Sequence, residues 1–489
     1  MSDTVPFRPE ARSPRGFQDR RARDLRAERT ILMAVSAVYE RYGFEQLDTP
    51  AFEYADALGK FLPDSDRPNE GVFALQDDDE QWMALRYDLT APLARFAAQT
   101  WETLPKPFRR YAFGTVWRNE KPGPGRFREF IQCDADTVGS ARPEADAEII
   151  AMAVEGLEAA GLPRGSAMLK INNRKLLNGL LSSAGVVDAG QKLAVLRAVD
   201  KLDRLGPDGV RLLLGEGRKD ESGAFTKGAG LNAKGAESVL AFVAAGGGSR
   251  AETLAKISDV IGGSAEGDEG LADLARIDAA LKGLGVAEDQ AAFDPSVVRG
   301  LEYYTGAVFE AELLLDTLDE KGHKVRFGSV GGGGRYDDLV ARFTGERTPA
   351  TGFSFGVSRL ASALRAAGRE AAATTRGPVV VIAFNEANMA DYFAIAGELR
   401  GAGIAAEVYL GASGMKAQMK YADRRLSPAA IIVGDDELAA GTATVKDLDL
   451  GRELASKVSD NQAWRNERPG QATIPRADLV AHIRRILEG

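Results

Sequence analysis

Apolar residues recur at helical spacing from about residue 21 to 42, and this pattern predicts a long amphipathic helix. The helix runs into GFEQLDTPAFEY (43–54), a strand-like alternation broken by Pro50, as expected of an edge position. WMALRYDLTAPLARFAA (82–98) reads as a strand turning into a helix, with Asp88 and Thr90 at the junction, where either suits a cap. Two alternating runs, 111–117 and 126–136, flank a Pro/Gly turn at 122–125 and predict a β-hairpin. Strand residues alternate between faces. Arg118, Glu120, Arg126, Gln132, Asp134 and Asp136 therefore share one side, and Phe127, Ile131, Cys133 and Ala135 share the other. Six polar groups on one face make a poor core and a good seat for a small charged ligand.

A helix is expected at 143–160, then the strand AMLKIN (167–172) and a helix at 174–184. From about 190 to 285 the pattern is helical and rich in Ala, Gly and Leu, interrupted by a charged, glycine-bearing stretch at 215–230. This reads as an inserted helical subdomain. From 377 onward, β and α patterns alternate with short links (PVVVIAF, a helix near 388–401, AAEVYL, a basic helix, AAIIVG, ATVKDL), which predicts an α/β unit with its own core. On its basic helix Lys416, Lys420 and Arg424 fall at i, i+4 and i+8 and project from one face.

Composition narrows the class without choosing a chemistry. With 489 residues, 44% hydrophobic and 27% charged, the chain is long enough for two to four ordinary globular domains. One cysteine, Cys133, excludes an internal disulfide framework, and two distant histidines, His323 and His482, offer no zinc site, so no protein-held metal is expected. No apolar run approaches the length of a membrane span. The first fifteen residues lack the apolar region of a signal peptide and read as a mobile leader, so a cytoplasmic protein is expected. A net charge of −9 argues against non-specific coating of nucleic acid but leaves room for a local basic patch.

The hairpin, through WRNE, the turn, GRFREF and QCDAD, resembles the second signature motif of class II aminoacyl-tRNA synthetases in its histidyl form. Three further clusters follow in order. RGLEYYTG (299–306) resembles the histidine-specific signature, with Glu302 in place of the usual aspartate. GSVGGGGRYDDL (328–339) is similar to the family's glycine cluster, although Gly332 replaces an alanine and Asp338 a glycine. By itself such a glycine run suggests a flexible loop that lets backbone approach a nucleotide, and it lacks the GK[ST] of a Walker loop. GFSFGVSRL (352–360) resembles the third class II motif, and MKAQMKYADRR (415–425) the matching helix of class IIa anticodon-binding domains. The early helix, strand and proline resemble the first motif, which builds a dimer interface.

The resemblance implies an α/β multidomain protein with a class II antiparallel-sheet catalytic core flanked by helices. Its expected parts are a leader (1–15), the first part of the core (16–189), a helical insertion (190–285), the second part (286–370) and an anticodon-binding domain (377–489). It implies histidine, ATP with Mg²⁺, and tRNA(His) as partners, and a homodimer. Arg118 and Arg299 become the groups on the reacting phosphate. Asp88, Thr90, Gln132, Asp136, Tyr303 and Tyr304 line the histidine site, with Asp136 and Tyr303 at the imidazole and Gln132 and Asp88 at the α-amino group. Arg118, Glu120, Arg126 and Arg359 meet ATP, while Lys416, Lys420 and Arg424 meet tRNA. The rival class is a silent histidine-binding regulatory subunit of an ATP phosphoribosyltransferase. Such paralogues tend to lose the ATP-site arginines and the C-terminal domain that this chain keeps.

Overall fold

The computed structural model describes residues 8–58, 71–123, 127–219, 223, 225–261, 263–298, 304–315, 317–318, 324–325, 328–369, 376–455 and 470–488. Its contacts divide the chain into two compact units, Met1–Ala371 and Ala372–Gly489.

The first unit is organised by an eight-stranded sheet. Its order is Glu45–Gln46, Phe108–Trp117, Glu129–Val138, Ala350–Gly356, Ser329–Arg335, Ala307–Leu313, Ala167–Asn173 and Ala291–Phe293. The six inner strands are antiparallel to one another, and the two short edge strands pair in parallel. Pairing register gives the sheet two unlike faces. One carries Tyr111, Cys133, Ala135, Phe353, Phe355, Phe309, Ala311, Ile171 and Leu169, all buried. Against it pack apolar residues of the helices Ala22–Arg41, Pro143–Ala159, Arg174–Ser183, Ala265–Gly283 and Val357–Ala366, among them Val35, Ile150, Leu177, Leu274 and Leu360. With this hydrophobic layer on one side, the polar face is left to build a site.

The four glycines 331–334 form part of a central strand, where a flexible loop was expected. Close packing explains it. A Cβ on Gly331 would stand 2.6 Å from the Phe353 ring, and one on Gly333 would stand 2.1 Å from the Gly352 carbonyl oxygen and 2.7 Å from the Phe309 ring. Bare backbone lets the Phe309 and Phe353 rings lie nearly parallel across the strand, centroids 6.3 Å apart. The strand is anchored at its end by Arg335, which donates from Nε and Nη2 to Asp146 on the helix Pro143–Ala159, at 3.0 and 2.7 Å.

The helical segment contains Ala189–Val199, Leu202–Leu214, Ala233–Val243, Arg250–Ile261 and Ala265–Gly283, with a short hairpin, Gly217–Lys219 and Phe225–Lys227, in its charged stretch. Its apolar residues join the same core as the sheet. The last helix reaches back to that layer: Arg276 pairs with Glu144, and Lys175 with Glu269 and Asp273.

In the second unit the order is Ala406–Val408, Val379–Ile382, Ala429–Ile432, Thr442–Asp447 and Gln471–Pro475, the first three parallel and the last two antiparallel. Val379 and Val381 pack toward Tyr392, Leu399, Leu479 and Ile483, while Val380 and Ile382 pack toward Ala422 on the other side. A strand covered on both faces reads as an unbroken apolar run, which is why VVVI does not alternate. Gln471–Pro475 and the final helix Leu479–Glu488 had no counterpart in the sequence reading; the alternating Gln471–Pro475 strand lies at the sheet edge, half exposed.

Candidate active site

The polar face is assembled by register. Arg110, Asp136, Gly352 and Gly334 form one row across four strands; Ala112, Asp134, Ser354 and Gly332 form the next; Gly114, Gln132 and Gly356 begin a third. Small residues make the floor and carboxylates rise from it. Gln132, Asp134 and Asp136 are 8%, 2% and 2% exposed, so the face expected from alternation is a buried one.

Asp136 is held from two directions. Arg110, itself 1% exposed, places Nη2 2.9 Å from one carboxylate oxygen and also donates to the Leu89 carbonyl at 2.8 Å. The Tyr336 hydroxyl donates to the other oxygen from two strands away. It reaches across because Gly352 stands between them without a side chain: a Cβ there would lie 1.9 Å from Asp136 Oδ1. Burial raises the Asp136 pKa, and Arg110 and the Tyr336 hydrogen bond oppose that rise. Asp134 is pushed up to about 8, first by burial and then by the charge of Asp136. Burial and the Asp136 charge together drive the Tyr336 hydroxyl far above its ordinary range, so it is a donor at all physiological pH.

Asp88 enters from the start of the helix Thr90–Thr100. Its Oδ1 accepts from the backbone N–H groups of Thr90 and Ala91, at 3.1 and 2.9 Å, so the capping role is realised. Asp88 nonetheless faces the site, since its charge acts on both Asp134 and Asp136. Thr90 is half-buried beside it. Tyr304 lies over Gly334, where a Cβ would approach its ring to 2.9 Å, and it is near enough to Tyr87 and Tyr336 to influence both hydroxyls. The chain entering this segment is fixed by Asn172, whose amide donates to the carbonyls of Pro295 and Val297 at 3.0 Å each.

Beyond the carboxylates lies a cationic end. Arg118 donates from Nε to the Tyr87 carbonyl at 3.2 Å, and its guanidinium carbon sits 5.6 Å from the Tyr87 ring centre and 5.2 Å from that of Phe130. The two rings hold the guanidinium beside the Gln132 row. Arg359 is half-buried, three residues into the helix after the strand Ala350–Gly356, on the side of Gly328. Glu120 is not drawn in; it is exposed past the end of the hairpin strand, and Arg128 Nε donates to its backbone carbonyl. Arg126, Arg299 and Tyr303 lie outside the described residues. In the second unit Lys416, Lys420 and Arg424 are all exposed on the helix Met415–Arg424.

Alternation alone singled out neither Arg110 nor Tyr336. Arg110 had only part of a signal, because counting back from the turn at 122–125 at equal steps sets it opposite Thr137, one residue off its observed partner Asp136. Tyr336 had none, since its partner is set by strand order.

An antiparallel sheet with helices on its apolar face and a separate α/β unit behind it in the chain is the architecture of a class II aminoacyl-tRNA synthetase. The histidyl-tRNA synthetase family model matches residues 16–360, and the anticodon binding domain model matches residues 378–466. The chain is 78% identical to a Histidine–tRNA ligase of Caulobacter vibrioides over 484 residues, 99% of this chain and 98% of that one. It is 56% identical to that of Brucella suis biovar 1 over 483 residues, 98% and 96% of the two chains. The histidyl-tRNA synthetase structure from Nostoc sp. PCC 7120 superposes with a TM-score of 0.72 at 29% identity, covering 98% of this chain and 100% of that one. The chain therefore belongs to the histidyl-tRNA synthetase family.

Proposed function

We infer that the protein is an ATP-dependent aminoacyl-tRNA ligase that joins histidine to tRNA(His). The observation that carries this reading is a buried face with two electrostatic ends, carboxylates around Asp134 and Asp136 and a guanidinium at Arg118, matched to a substrate with an ammonium at one end and a phosphate to meet at the other. A match at 78% identity over nearly the full length of a histidine–tRNA ligase, and a matching anticodon-type domain, favour the ligase over the regulatory subunit.

In the first step the histidine carboxylate attacks the α-phosphorus of ATP and pyrophosphate leaves, so negative charge builds on the phosphoryl oxygens. Arg118 supplies a fixed cation there, and the family resemblance assigns Arg299, with Arg126 and Arg359 on the nucleotide, to the same work. Asp88, Thr90 and Gln132 take the α-amino end. Asp136, held by Arg110 and Tyr336, presents its carboxylate to the imidazole, with Tyr303 and Tyr304 as aromatic walls. In the second step the terminal adenosine hydroxyl of tRNA displaces AMP from the mixed anhydride. Glu120, exposed past the end of the hairpin strand, is assigned to the nucleotide by the same resemblance.

Magnesium enters with ATP. It is expected to keep phosphate and water as most of its ligands, and on the polar face Glu312 is already paired with Lys170 at 2.8 Å. Among the described residues no cluster of three acidic, His or Cys side chains forms a metal cage. The exposed basic row Lys416, Lys420 and Arg424 is proposed to meet tRNA, where unstacked anticodon bases are accessible. The proposed homodimer is supported by large apolar groups left exposed around the helix–strand–proline segment, Phe52, Tyr54, Trp82 and Phe343. No helix among the described residues is long and apolar enough to cross a membrane, and a cytoplasmic setting is proposed from the tRNA substrate.

Histidine-dependent ATP–pyrophosphate exchange tests the reading. The wild type should exchange label, and Arg118→Ala should lose roughly 3 kcal/mol of transition-state stabilisation, about a hundredfold in rate, while still binding histidine. Histidine binding by wild type without exchange would overturn the ligase assignment.

A further inference from the structure

Arg118 stands at the end of a hairpin that has outrun its neighbours. The strand Glu129–Val138 last pairs with Ala350–Gly356 at Gln132, and Phe108–Trp117 last pairs with Glu45–Gln46 at Tyr111. Beyond those rows, among the described residues, the sheet offers the hairpin no further flanking strand. A two-stranded ribbon by itself is marginally stable in water. Arg118 nonetheless has to be a fixed cation to serve the reacting phosphate. Backbone carbonyls from outside the sheet supply the missing hold. The Arg118 N–H donates to the Arg128 carbonyl at 2.9 Å, and the Arg128 N–H donates in turn to the Gly16 carbonyl at 2.9 Å. On the opposite edge, Trp117 donates to the Arg86 carbonyl and Asn119 to the Gly71 carbonyl, at 3.0 and 3.2 Å.

Segment 14–20 is shaped for this contact. The Phe17 N–H closes a turn onto the Pro14 carbonyl at 3.1 Å, with Gly16 at a φ of 86°, a conformation that favours glycine. A Cβ on Gly16 would also stand 2.9 Å from both Cγ and Cδ of Arg128. The Arg128 side chain runs past that bare backbone. Its Nε donates to the Glu120 carbonyl at 2.9 Å, and its guanidinium carbon lies 5.9 Å from the centre of the Phe73 ring. Phe73 in turn meets Phe17, ring centres 5.7 Å apart. Phe17 and Phe73 are half-buried and stand outside the sheet's buried core. Arg20 carries the segment onward: it pairs with Glu28 of the first helix at 2.8 Å and lies 3.9 Å from Glu129, which accepts from the Trp117 indole at 3.0 Å.

We propose that segment 14–20 is a strap that positions the catalytic arginine: through Arg128 it fixes the backbone of Arg118, and the rate of adenylate formation depends on that hold. The inference rests on the ligase reading, with Arg118 as the cation at the phosphate. Arg128, Gly16 and Phe17 are positioning residues, acting on the reaction only through Arg118. Misplacing a catalytic group by about 1 Å can cost on the order of a hundredfold in rate, so a partial loosening of the ribbon should cost about tenfold.

Histidine-dependent ATP–pyrophosphate exchange by the full chain tests this, with Gly16→Val and Arg128→Met each made in the wild type and in Arg118→Ala. In the wild-type background each should lower the maximal exchange rate roughly tenfold, with the histidine Kd within about twofold. In Arg118→Ala the same changes should cost less than about twofold, because the group they position is already gone. Phe17→Ala should show the same dependence on background, and Phe17→Tyr, which keeps the ring on Phe73, should retain the wild-type rate. These two keep the test open should Gly16→Val fail to fold. Equal losses in both backgrounds would mean that the strap only supports the fold, and unchanged rates in all three disruptive variants would mean that Arg118 needs no such hold; either overturns the proposal. A wild type that binds histidine without exchange would refute the ligase reading instead.

Discussion

Replacing Arg110 by methionine is the sharpest test of how the carboxylate face is held together. The guanidinium lies 2.9 Å from Asp136, and both groups are almost wholly buried, at 1% and 2% exposure. At an effective dielectric near 20, charges about 4 Å apart attract by about 4 kcal/mol. The lost bond to the Leu89 carbonyl adds on the order of 1 kcal/mol. Methionine keeps most of the volume, so little cavity cost is added. What remains is an uncompensated buried carboxylate with Asp134 and Asp88 nearby, a situation that typically costs about 3–5 kcal/mol. Arg110→Met is therefore expected to destabilise the first unit by about 4 kcal/mol. Urea unfolding followed through Trp82, Trp101 and Trp117 would read it. Asp136→Asn removes the other charge, and the double variant should be less damaged than the sum of the two singles by roughly 2 kcal/mol. A single-variant loss below about 1 kcal/mol, or strict additivity, would refute the argument that this pair organises the face.

Gly352→Ala should disable histidine binding while leaving the fold recognisable, because its Cβ would occupy the place of Asp136 Oδ1 and break the reach of Tyr336; a histidine Kd within threefold of wild type would show that the slot is not needed. Replacing Lys416, Lys420 and Arg424 together by alanine should raise the KM for tRNA about tenfold or more and lower its salt dependence, with pyrophosphate exchange unchanged, since all three are exposed and belong to the second compact unit; an unaltered KM would remove this helix from the tRNA surface.

Much of this molecule follows from local pattern. The hairpin, the shared side of Gln132, Asp134 and Asp136, the helix cap at Asp88 and the basic row on Met415–Arg424 all follow from residue type and spacing within a short window, where side-chain direction is fixed by backbone geometry. The pairing of Arg110 with Asp136 is not among them, because equal steps from the turn at 122–125 would set Arg110 opposite Thr137 and the actual register is shifted by one residue. The family resemblance supplied the chemistry that pattern cannot name. What local sequence could not determine is which distant strands lie side by side. Glycines 331–334 look like a loop until Phe309 and Phe353 are laid against them. Gly352 looks idle until it is seen between Asp136 and Tyr336. The surroundings of Asp134 also depend on strand order, because only the neighbouring strand brings Ser354 beside it and under the Gln132 amide. Burial and cross-strand adjacency are properties of the assembled sheet, and they decide which partners hold each of the three side chains on one strand, Arg110 and Tyr336 for Asp136 and Ser354 for Gln132.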